Sequence, residues 1–168
     1  CIDSINQTWV YADHGLELSS GTWPHGNIIL MKSTGNALSF SNISIARSFY
    51  HSVSTGDLNN DGLMDVVGLN MGTKGNWYDN LHTYLQNSDG SFSENRTILM
   101  SSAGGRGAGA VLVKNLFGDA RPEVIRADYG FNPTFSQPSD RYSFMIYAYN
   151  SSTNKYQLSK DPGPLGVY

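Results

Sequence analysis

The sequence predicts an all-β fold: an array of about three four-stranded antiparallel units. Three observations carry that expectation. A short segment closing on glycine recurs along the chain: Trp9-Val10-Tyr11-Ala12-Asp13-His14-Gly15, Val66-Val67-Gly68-Leu69-Asn70-Met71-Gly72 and Val124-Ile125-Arg126-Ala127-Asp128-Tyr129-Gly130. The closing glycines stand 57 and 58 residues apart, and a fixed period of this size marks a repeat architecture. After each glycine come a loop and two extended runs joined by a Gly/Asn/Ser turn, which is the pattern of a hairpin. The composition agrees, since only 15% of the 168 residues are charged while Gly (18) and Tyr (10) are abundant. That profile suits a turn-rich β protein with a polar, weakly charged surface.

Taken in order, the units divide a single repeat domain into residues 1–45, 46–102 and 103–168. In the first, the Trp9 run leads to a strand from Asn27 to Lys32, a turn at Ser33-Thr34-Gly35-Asn36 and a strand opening at Phe40. Its opening register falls on Cys1 to Thr8, where only Ser4, Asn6 and Thr8 offer oxygen, so this copy reads as partial. The second holds strands at Tyr50–Thr55, Asp65–Leu69, Leu81–Gln86 and from Phe92, with the third and fourth joined at Asn87-Ser88-Asp89-Gly90. The third holds Ala110–Val113, the Val124 run, Tyr142–Tyr149 and a strand from Tyr156 after Asn150-Ser151-Ser152-Thr153-Asn154. Its entry, Gly104-Gly105-Arg106-Gly107-Ala108-Gly109, lacks a Gly-Lys-Ser/Thr ending and precedes a strand, so it is no phosphate loop. Four strands per unit, with a tight loop between the first two, is the pattern of a propeller blade.

That tight loop in the middle unit carries chemistry. Residues 57–65 read Asp57-Leu58-Asn59-Asn60-Asp61-Gly62-Leu63-Met64-Asp65, with side-chain oxygens at positions 1, 3, 5 and 9 and glycine at position 6. Calcium takes about six to eight oxygens at roughly 2.3–2.6 Å. Asp57, Asn59, Asp61 and Asp65 would supply side-chain oxygens, and Gly62 allows the turn that aims the Leu63 carbonyl at the same centre. A helix–loop–helix site of the EF-hand kind needs Glu at position 12, where this chain has Gly68. The flanks are β-branched and aromatic, so strands are expected on both sides. Asn, Asp and Gly also build turns without any metal, but three aspartates converging in such a turn would repel one another. In the third unit Asn115-Leu116-Phe117-Gly118-Asp119-Ala120-Arg121-Pro122-Glu123 occupies the same register. It reads as a loop that keeps its shape without a metal, with the Arg121 guanidinium expected near Asp119 or Glu123.

The run Asp57 to Val67, followed by Thr83-Tyr84-Leu85-Gln86-Asn87-Ser88-Asp89-Gly90-Ser91-Phe92, resembles an FG-GAP (VCBS-type) repeat. This is the calcium-bearing blade also found in integrin α-subunit propellers and some fungal lectins. The resemblance covers the second unit fully, the third well and the first in its latter half. It implies a β-propeller, extracellular calcium and a role in adhesion or ligand binding. Closed propellers hold about four to eight blades, whereas these units amount to slightly under three. A partial or oligomer-completed β-propeller follows, its open ends covered by other copies of the chain or by further blades. A filament results where head-to-tail contacts do not close.

A net charge of −3 leaves no basic footprint for nucleic acid, and no apolar run approaches the ~20 residues of a membrane helix. The lone cysteine excludes an internal disulfide. Cys1 is open to three readings: a lipid-bearing first residue, a partner in an intermolecular disulfide, or a cut end. Sequons at Asn6, Asn42, Asn95 and Asn150 permit a glycoprotein, and weak calcium sites fill only outside the cytosol, so an extracellular or cell-surface address is expected. No nucleophile–base pair, catalytic carboxylate pair or cofactor fingerprint stands out. The four histidines lack metal-ligand spacing, and no enzyme is expected. The loops bearing Trp23 and Trp77-Tyr78 offer aromatic faces beside Asn and Asp, which suit a sugar ring and equally suit blade packing or a protein interface. A glycan-binding lectin is therefore the alternative to a structural or adhesive module. An accessory domain of a secreted enzyme is a further one.

Overall fold

In the computed structural model the described residues are 2–3, 8–15, 25–33, 40–70, 80–99, 109–129 and 142–160. They form twelve strands and, among the described residues, no helix. The first sheet contains β1 (Ile2–Asp3), β2 (Thr8–Gly15), β3 (His25–Ser33) and β4 (Phe40–Ser48). The second contains β5 (Tyr50–Gly56), β6 (Asp65–Asn70), β7 (Asn80–Gln86) and β8 (Phe92–Glu94). The third contains β9 (Ala110–Lys114), β10 (Glu123–Tyr129), β11 (Tyr142–Asn150) and β12 (Lys155–Lys160). Each sheet is a four-stranded antiparallel meander in chain order. The first sheet has all four strands, although β1 is a two-residue stub paired through Ile2 with Trp9 and Asp3 with Thr8. Its last strand continues to Ser48, beyond residue 45.

The sheets pack face to face, and strand alternation decides which side chain faces which neighbour. Val10, Ile28 and Leu30 of the first sheet form one apolar cluster with Tyr50, Val66 and Tyr84 of the second. Leu58, Val67, Leu69 and Leu81 of the second cluster with Val111, Val113, Val124, Met145, Tyr147 and Tyr156 of the third. Strand β6 is thus buried on both faces, all six residues included, which is why its centre, Val66-Val67-Gly68-Leu69, is apolar without alternation. Gly68 stands at the close approach of the first two sheets. A Cβ there would lie 2.6 Å from Ile28 Cδ1 and 2.9 Å from the Tyr50 ring. Between the second and third sheets, the β9 amides of Val111 and Val113 donate to Ser52 Oγ (3.1 Å) and Ser54 Oγ (2.9 Å). The segment after β8 crosses to the third sheet, where Tyr156 N–H donates to Ile98 O at 2.7 Å.

Candidate metal centre

The 57–65 loop lies between β5 and β6, so strands flank it on both sides. Two left-handed residues fold it back on itself, Asn60 (φ 63°) and Gly62 (φ 83°). Nothing would touch a Cβ at Gly62, so glycine is needed there for its backbone angle rather than for space. The side chains then wrap the loop's own amides. Asp57 accepts from Asp61 N–H (3.1 Å) and Gly62 N–H (2.8 Å). Asn59 Oδ1 accepts from Asp61 N–H at 3.1 Å, while its Nδ2 donates to Asp61 Oδ2 at 2.8 Å. Asp61 Oδ1 accepts from Leu63 N–H at 2.8 Å. Asp57, Asn59 and Asp61 are thereby gathered at the loop's accessible side.

Asp65 sits beneath them, fully buried. One of its oxygens accepts from Leu58 N–H at 2.8 Å and the other from Gln86 N–H at 3.0 Å. Burial pushes its carboxyl up to about 6, the two amide bonds pull it down, and the charges of Asp61 and Asp57 push it up further. Gln86 completes the tie by accepting from Met64 N–H at 3.2 Å.

The donor set suits a hard cation: three carboxylates, one amide oxygen and the Leu63 carbonyl, all oxygen. A carboxylate oxygen that accepts one amide retains a further lone-pair site. Among the described residues no three His, Cys, Asp or Glu side chains already stand as a metal-binding group. To hold a cation, these side chains would have to draw together from their amide-bonded positions.

The 115–123 loop repeats the frame with other residues. Gly118 (φ 75°) takes the left-handed place of Asn60. Asn115 Oδ1 accepts from Gly118 N–H at 2.6 Å, and its Nδ2 donates to Asp119 O at 2.6 Å. Buried Glu123 accepts from Leu116 N–H at 2.7 Å, as Asp65 does from Leu58. Arg121 departs from expectation. Its guanidinium forms no ion pair with Asp119 or Glu123 but donates to Leu58 O in the neighbouring loop at 2.9 Å and lies 3.7 Å over the Tyr149 ring. A carbonyl plus an aromatic face satisfies a planar cation in a half-buried seam. Tyr156 Oη donates to Pro122 O at 2.9 Å, with Leu58 O 3.3 Å away. The Leu58 peptide is therefore held from both sides, its N–H by Asp65 and its C=O by the third sheet.

Two further features escaped the sequence reading. Tyr50 and Tyr84 share a hydroxyl–hydroxyl hydrogen bond between the first two sheets. His82 Nδ1 lies 3.3 Å and 3.4 Å from those hydroxyls and 3.5 Å from Glu94, which Arg96 holds at 2.9 Å. The signal was present, because His82 and Tyr84 are two apart on one strand and so share a face. Arg126, fully buried, occupies in β10 the register of Gly68 in β6. Trp23, Trp77 and Tyr78 lie outside the described residues, as does the opening loop of the first unit between β1 and β2. Among the described residues no helix is long and apolar enough to cross a membrane. A scan against protein families matches none, and a search of curated proteins finds no relative.

Proposed function

We propose that the chain is a calcium-binding module of β-propeller type, built from FG-GAP-like blades, with a structural or adhesive role outside the cell. The observation that carries the reading is the 57–65 loop, with oxygen donors at positions 1, 3, 5 and 9 around two left-handed residues, held between two strands. Asp57, Asn59, Asp61, Asp65 and the Leu63 carbonyl would hold the ion. A bound divalent cation supplies positive charge where three carboxylates converge. Asp65 benefits most, because burial and its two acidic neighbours all disfavour its charged form. Binding to the folded chain alone adds stability by mass action, about 1.4 kcal/mol at ten times the dissociation constant. The three sheets are blades awaiting neighbours, supplied by other copies of the chain or by further blades.

Asp61→Ala tests the reading. The wild-type melting temperature should rise with millimolar calcium and fall back with chelator. In the variant the rise should disappear, and an undiminished rise would exclude the loop as the site.

A further inference from the structure

The middle sheet shows what a neighbouring sheet covers, and this supplies a standard for the two outer faces. Leu58 and Leu116 occupy the same position in their loops, each donating its N–H to the buried carboxylate that ends the loop. The Leu58 side chain is 0% exposed, sealed in the cluster between the second and third sheets. Leu116 is 46% exposed. The cross-strand pairs tell the same story. Ser54 faces Val67 in the second sheet as Leu112 faces Ile125 in the third. Ser54 and Val67 are buried against β9, whereas Leu112 is 50% exposed. Phe117, at the loop tip beside Leu116, is 60% exposed where the middle loop has Asn59. Ile125 itself is 7% exposed, so the third sheet leaves open, on the face with which the second receives it, Leu112, Leu116 and Phe117, where the second sheet has Ser54, Leu58 and Asn59.

The matching half stands at the other end of the array. Val10, Ile28 and Leu30 point to the second sheet, so alternation turns Trp9, Tyr11, Ile29 and Met31 the other way. These are cross-strand partners, Trp9 with Met31 and Tyr11 with Ile29. By the glycine spacing Trp9 and Tyr11 hold the registers of Val66 and Gly68, and of Val124 and Arg126. In the second and third sheets those residues face the preceding sheet. Tyr11 is 40% exposed.

We infer that the outer face of the third sheet, around Leu112, Leu116 and Phe117, docks onto the outer face of the first sheet, around Trp9, Tyr11, Ile29 and Met31, of a second copy of this chain. The second copy is the occupant because the chain carries both halves of one head-to-tail contact, continuing an interface it already makes twice internally. Such a contact either closes or runs on as a polymer. Two copies joined at both ends bring together six sheets, within the about four to eight of closed rings. The inference rests on the repeat reading above but not on the ion, since the docking loop is the 115–123 loop.

Sedimentation of the whole chain over a wide concentration range tests it, together with two variants: Leu112→Glu/Leu116→Glu at one end and Tyr11→Glu at the other. The wild type should reach twice the 18.4 kDa chain mass, and each variant alone should stay at the one-chain mass. An equimolar mixture of the variants should recover the two-chain mass, because one junction then joins two unaltered faces. A wild type that stays at the one-chain mass, variants that pair as it does, or a mixture that fails to associate would each overturn the inference. Polymers longer than two that vanish in both variants support the docking faces and overturn closure at two copies. Unchanged circular dichroism shows that the variants fold. Asp61→Ala should retain the two-chain mass while losing the calcium response, so failure of the assembly and failure of the calcium site are separately visible.

Discussion

At Gly68 the second sheet has room for a hydrogen atom and nothing larger. Ile28 Cδ1 and the Tyr50 ring stand where a methyl would go, and neither is a free chain end, both being buried. Gly68→Ala should destabilise the protein by about 1–3 kcal/mol through overpacking, read as a lower urea midpoint at unchanged slope. His82 makes a different demand. Burial lowers its pKa first and Arg96 adds to this, while Glu94 opposes both and the Tyr50 and Tyr84 hydroxyls crowd the ring. A base whose folded pKa lies below its unfolded value contributes stability that is complete above the unfolded value, about 6.5. That contribution is lost as pH falls below it. Between pH 7 and 5.5 wild type should therefore lose stability relative to His82→Gln, by at most about 1.4 kcal/mol per pH unit. In metal-free protein Asp65 runs the other way: its raised carboxyl favours folding most below about pH 4 and loses this by about 6. Both proteins share that residue, so the difference between their pH profiles isolates His82.

At the scale of elements, the strand–loop–strand around residues 57–65 was legible because its signals are local. Turn residues sit at fixed offsets, and apolar β-branched runs lie on either side. The third loop's frame was legible for the same reason, Gly118 and Glu123 standing where Asn60 and Asp65 stand. The target of Arg121 was not. Its acceptor, Leu58 O, is 63 residues away in the chain, and only the packing of two sheets brings them together. A sequence pattern that places a cation beside two acids in its own loop says nothing of a carbonyl in the next. Arg121→Ala should leave each sheet intact and loosen the seam between them. Amide exchange should quicken at Tyr156, whose N–H is bonded to Ile98 O, and the cost should be about 1–3 kcal/mol, as for a hydrogen bond from a charged group. Equal protection in the variant and the wild type would show that Arg121 does not hold the seam.

Across the whole molecule, the number and order of the sheets followed from the recurring glycines, whereas which faces pair came from the coordinates. The run Val66-Val67-Gly68-Leu69 is apolar throughout because that sheet has neighbours on both faces, which the coordinates and not the sequence reading revealed. Half-covered faces read differently: Trp9, Tyr11, Ile29 and Met31 alternate with buried residues, yet alternation alone does not say whether the outward set meets water or protein. The comparison of Leu58 with Leu116 supplies that distinction, and it needed coordinates because burial is a property of the neighbour. The buried acids at the loop ends carry one more consequence. Asp65 and Glu123 each brace their own strand to the start of the preceding loop through a backbone amide, whatever the remaining loop residues are. The shape of each loop thus depends on its closing acid and not on which side chains stand at its tip. A loop with Phe117 at its tip in place of Asn59 keeps the same frame while exposing an apolar side chain.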